Sequence, residues 1–77
     1  MINKQNINNL LGNITLEEVT EKLNAYQFLV ISTNYLQFTD INKNFIEIQY
    51  CYKTKKWYQF KTFGNSSNPV EQFIKYI

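Results

Sequence analysis

Few residues in this chain could act on a reacting atom. Histidine, the commonest general base, is absent. Cys51 is the single cysteine, and a thiol needs a neighbouring base to become a nucleophile. A half-buried strand cysteine is therefore expected there. Asp40 and Glu47 are the acids outside the expected helices; Asp40 suits the start of a turn, and Glu47 suits a cross-strand pair with a lysine. Two glycines cannot build a phosphate-cradling loop, and nothing has the spacing of a zinc site. The expectation is a protein with no enzymatic activity, no cofactor and no metal.

The segment with most chemical character is Cys51 to Phe63, CYKTKKWYQFKTF. Lysines alternate with aromatics around the sole tryptophan. Such a surface can anchor a protein partner, because tryptophan is enriched at interaction hot spots. It can also stack nucleic-acid bases. The structural alternative is that Trp57 folds over the strand end to cover the core, while the lysines blunt a sheet edge. Bulk charge does not favour nucleic acid: eight lysines against six acids leave a formal +2. Arginine is absent, so bidentate phosphate or guanine recognition is excluded.

The elements around this segment follow from local signals. Ile7, Leu10 and Leu11 fit a short helical turn that Gly12-Asn13 ends, so residues 1–13 form a short helix or arm. Thr15 and Glu18 make a capping box, Ile14 and Val19 a hydrophobic staple, and Leu16, Val19, Leu23 and Tyr26 one helical face. A helix is expected over about 15–26. FLVIST and YLQFT read as one strand with a bend near Ser32-Thr33-Asn34, because Leu29 and Ile31 face opposite to Leu36 and Phe38. DINKN is a turn. In FIEIQYCY, Ile46, Ile48, Tyr50 and Tyr52 alternate with Glu47, Gln49 and Cys51.

A three-residue turn at Thr54-Lys55-Lys56 would place Tyr52 opposite Tyr58 and Tyr50 opposite Phe60. That register gathers the apolar residues on one face. It turns Trp57, Gln59, Lys61, Gln49 and Lys53 to the other face, with Lys55 and Lys56 at the hairpin tip. These seven residues are the expected partner-binding set. At the C-terminus, Asn68, Pro69 and Glu71 give a helix start, and Val70, Phe73, Ile74 and Ile77 an apolar stripe.

The reading is one α+β domain over 1–77: a three-stranded antiparallel meander with helices on one face, in the order helix, three strands, helix. A domain this small buries only about 60% of its unfolded surface. Its 17% aromatic content, or a homodimer, must supply the rest. No segment has the apolar length of a membrane span, the N-terminus lacks the apolar run of a signal peptide, and a lone thiol fits a reducing compartment. A cytoplasmic location is expected.

Lys56, Tyr58, Phe60 and Phe63 resemble the K-G-F-x-F-x-x-F segment of the RNA-recognition motif, with Trp57 in place of the glycine and without its βαββαβ order. The helix–three strands–helix order over 15–77 resembles the double-stranded-RNA-binding domain. That domain has a basic start to its last helix and a histidine-bearing loop; this chain has NPVEQF and DINKN there. In size and layout, with LEEVTEKL and VEQFIKYI at the ends, the chain is also similar to small phage anti-CRISPR proteins. Phe, Tyr, Met, Ile, Asn and Lys fill 41 of 77 positions, the mark of an A/T-rich genome such as that of a low-GC bacterium, its phage or a mobile element. These features imply a non-catalytic interaction protein, an inhibitor or accessory factor that binds a host protein. The competing expectation is a weak nucleic-acid-binding domain that uses the hairpin lysines and Trp57.

Overall fold

Two short capped helices lead into a sheet. The computed structural model describes residues 4–77. Helices α1 (Lys4–Leu11) and α2 (Leu16–Leu23) precede β1 (Ala25–Ser32), β2 (Tyr35–Asp40), β3 (Phe45–Cys51), β4 (Lys56–Asn65) and β5 (Asn68–Tyr76). The strands form one antiparallel sheet in the order β1-β2-β3-β4-β5. The α+β class is as expected, but the sheet has five strands instead of three. Among the described residues no helix is long and apolar enough to cross a membrane.

The helices form where their signals lie. Gly12 follows α1 at φ 69°, the left-handed geometry a stop requires. Thr15 caps α2 by accepting from the Glu18 amide at 3.2 Å. The helix ends earlier than expected, at Leu23, because Asn24 takes a left-handed conformation at φ 53° and its amide donates back to Glu21. Tyr26 therefore belongs to β1. Eight-residue helices are marginal alone in water. These two are held by burying Ile7 and Leu11 of α1 and Leu16, Val19 and Leu23 of α2. Each such side chain contributes about 1.5–3 kcal/mol. Asn8 ties the helices together by accepting from the Leu16 amide at 2.7 Å. The expected N-terminal arm is thus a core helix from Lys4 onward; residues 1–3 lie outside the described residues.

The first correction concerns the bend. Thr33-Asn34 is a hairpin turn between two strands. Phe28 pairs with Phe38 and Val30 with Leu36, so Leu36 and Phe38 face the core while Leu29 and Ile31 stay exposed. The pairing shifts register between Val30 and Ser32, beside the turn, and this irregularity keeps Leu29 and Ile31 on the face opposite to Leu36 and Phe38. The DINKN turn forms as expected: Asp40 Oδ1 accepts from the Asn42 and Asn44 amides at 2.9 and 2.7 Å.

The second correction is the register of the next hairpin. Cys51 pairs with Lys56, leaving a four-residue loop, and Tyr50 pairs with Trp57. Tyr52 lies in that loop, exposed. The third is the C-terminus, where the expected helix is β5. Its cap residues serve a turn, since Asn65 Oδ1 accepts from the Asn68 amide at 2.7 Å. Pro69 sits near the start of an edge strand, where its missing N–H is tolerated. The β-branched and aromatic residues of VEQFIKYI favour the ladder with β4 over helical capping.

The core lies between the helices and one sheet face. Ile7, Leu11, Leu16, Val19 and Leu23 pack on Leu36, Phe38, Ile46, Ile48 and Trp57.

Candidate functional site

Pairing decides which face each expected site residue occupies. Ile48, in the core, pairs with Gln59, so Trp57, Gln59 and Lys61 lie on the helix side of the sheet. Gln49 pairs with Tyr58 and lies on the opposite side, with Lys56. Lys53 and Lys55 stand on the exposed hairpin loop. The seven residues therefore do not form one surface.

The expectation of an exposed indole is overturned. Trp57 is only 4% exposed. Its Nε1–H donates to the Leu10 carbonyl of α1 at 3.2 Å, and its ring meets Tyr50 edge-on at 5.5 Å. An amphipathic indole buries its ring while its N–H takes up one of the carbonyls left free at a helix C-terminus. Trp57, Lys55 and Lys56 do come together as part of the lining of a groove of about 570 Å³ beside the α1–α2 loop, but Trp57 itself is buried.

The helix-free face carries a different constellation. Phe60 is 2% exposed yet stands outside the helix-side core. Side chains of the same face cover it: Tyr35 edge-on at 5.6 Å and Tyr58 at 5.7 Å. The row continues from Tyr58 to Phe73 at 6.0 Å and from Phe73 to Tyr76 at 5.0 Å. The ammonium of Lys56 lies 5.3 Å from the Tyr76 ring centroid, within cation–π range. Aromatic residues from β2, β4 and β5 thus form a stripe across the sheet, ending in exposed Phe73 and Tyr76 on the edge strand. Cys51, Tyr58, Phe73 and Tyr76 enclose a shallow apolar cleft of about 260 Å³.

Polar groups fasten this stripe. Glu47 is buried opposite Phe60 and accepts from the hydroxyls of Tyr35 and of Thr62, the latter at 3.1 Å. The expected lysine partner for Glu47 is replaced by these two hydroxyls. Tyr58 donates to Gln49 Oε1 at 3.1 Å. Burial pushes the Tyr35 phenol above its ordinary value; the Gln37 amide, at 3.4 Å, opposes this and the Glu47 carboxylate adds to it. Burial also raises Tyr58, helped by the charge of Glu71. Both phenols remain neutral donors at neutral pH. The Cys51 thiol moves down, chiefly because the Thr54 hydroxyl hydrogen-bonds to it, with support from the backbone amides of Thr54 and Lys53.

The chain matches no protein-family model, no curated protein sequence and no solved structure. The functional reading therefore rests on this face.

Sequence reasoning missed exposed Phe73 and Tyr76 as surface candidates, and Tyr35 and buried Phe60 as the residues that anchor them. A signal was present: WYQFKTF holds aromatics at both parities, so either face of β4 had to carry some. The cation–π and phenol–carboxylate contacts arise only from the five-strand pairing and have no local signal in the sequence.

Proposed function

We propose that the chain is a non-catalytic protein-binding module that docks the helix-free face of its sheet, at the β4–β5 side, on a partner protein. The observation that carries this is the aromatic stripe ending in Phe73 and Tyr76, which is anchored by buried Phe60 and Glu47 and open to solvent at the edge. Rigid aromatics held in place lose little freedom on binding, which is what a hot spot requires. Charge on this face is mixed: Lys56 shares it with Glu47 and Glu71, while Lys61 lies on the other side. That balance favours a protein over a phosphate backbone, whose binding needs a row of cations. The narrower role, an inhibitor or accessory protein of a phage or mobile element, rests on the composition and small size of the chain.

The test is affinity capture from a nuclease-treated low-GC bacterial lysate, with wild type beside a Phe73→Ser/Tyr76→Ser variant. Both side chains are about half exposed, so the variant retains the fold, as circular dichroism would verify. The expected result is a protein held by wild type at high salt and lost by the variant. Capture unchanged by the variant, or abolished by nuclease or salt, overturns the reading.

A further inference from the structure

The sheet has two edges, β1 and β5, and each presents a row of unpaired backbone N–H and C=O groups. The edges differ in how they resist pairing. β5 carries Pro69, Glu71 and Lys75, and its pairing with β4 shifts register beside Phe60. Proline, charge and irregularity are the usual defences of an edge. β1, AYQFLVIS, has neither charge nor proline. Its irregularities lie towards its ends, between Ala25 and Gln27 and between Val30 and Ser32, leaving the segment 27–30 regular.

We propose that β1 pairs antiparallel with β1 of a second copy of this chain, joining the two sheets across a two-fold axis. An extended strand supplies the backbone groups that an open edge lacks. The side chains fit a copy of the same strand. Tyr26, Phe28, Leu29 and Ile31 are large, apolar and exposed, with Leu29 at 59%. They serve both faces, since Phe28 pairs with core-facing Phe38 and Leu29 with Gln37 on the helix-free side. Two-fold pairing sets each strand against itself, and the absence of charge means no like charges meet. A charged partner strand would instead bring its ions against an apolar edge. Exposed Ile41 extends the patch, because its amide donates to the Asn24 carbonyl at 3.3 Å just before β1. A strand of eight residues is about 27 Å long. Its edge alone offers less than the roughly 800 Å² per partner of a standard interface. The dimer is therefore of the class that dissociates on dilution.

Sedimentation equilibrium over a concentration series tests this. Wild type should rise from the mass of one chain to twice that mass. A Leu29→Lys/Ile31→Lys variant should remain at the single-chain mass with an unchanged circular dichroism spectrum, because both positions are exposed. Phe73→Ser, on the opposite edge, should dimerise as wild type does. A wild type that stays monomeric, a lysine variant that still dimerises, or a dimer lost in Phe73→Ser overturns the proposal. Should the lysine variant fail to fold, hydrogen exchange of wild type decides. Amides of residues 27–30 must exchange more slowly as concentration rises, and exchange independent of concentration refutes the pairing. Because this edge and the aromatic stripe are probed by different variants, failure of one reading leaves the other standing.

Discussion

Trp57→Ala should weaken the fold more than any surface substitution could. The ring is 4% exposed and fills the seam between α1 and β4, against Tyr50 and beneath the Leu10 carbonyl. Truncating a buried tryptophan to alanine costs about 3–5 kcal/mol. A chain of 77 residues has a total stability of roughly 4–12 kcal/mol, taking about 0.05–0.15 kcal/mol per residue. The substitution thus removes between a quarter and all of it. For a domain of this size each kcal/mol lowers Tm by about 4–8 °C, so a fall of at least about 12 °C is expected. Trp57→Phe keeps a ring in the seam and loses the hydrogen bond, worth about 0.5–1.5 kcal/mol, together with part of the contact area. It should fall between wild type and the alanine variant. Urea titration followed by far-ultraviolet circular dichroism gives both values. An alanine variant within about 0.5 kcal/mol of wild type would place Trp57 among surface residues and refute the packing described.

Two further outcomes follow from local geometry. Gly64→Ala should destabilise by about 1–3 kcal/mol in the same titration, since Gly64 holds φ 97° and an added Cβ would stand 2.7 Å from the Asn68 carbonyl oxygen; no loss of stability would mean the β4–β5 turn can rearrange. Cys51 should be alkylated with a pH midpoint below that of the urea-unfolded chain, and Thr54→Val should raise it towards the unfolded value, because the Thr54 hydroxyl is the main group favouring the thiolate. A thiol whose pKa is lowered in the native state adds stability fully present above the unfolded pKa, and that stability fades as pH falls through the native one. Equal midpoints in native and unfolded chains would remove this role for Thr54.

Local signals were legible in the sequence wherever a single interaction settles the conformation. Thr15 capping Glu18, Gly12 ending α1 and Asp40 organising its turn all act within a few residues. The inward set Ile46, Ile48 and Tyr50 was legible from alternation. The β3–β4 register was not, because its criterion was a single apolar face. This sheet has two: helices cover one, and the Tyr35–Phe60–Tyr58 cluster is the other. With apolar residues at both parities of β4, alternation cannot choose between the registers. The choice falls to α1, whose Leu10 carbonyl takes the indole N–H from 47 positions away. The C-terminal strand was hidden for a related reason. Asn68-Pro69 satisfies both a helix cap and a hairpin turn, and only the length of β4 as a pairing template separates them.

Every strand in this sheet neighbours the one next to it in the chain. Successive hairpins can zip with short loops, so most of the ordering proceeds at little cost in loop closure and favours rapid folding. The packing of the two helices on the sheet is different, since it joins residues as far apart in sequence as Leu10 and Trp57. The sole indole sits at this long-range contact, so its fluorescence reports the docking of α1 on the sheet and not the pairing of the hairpins.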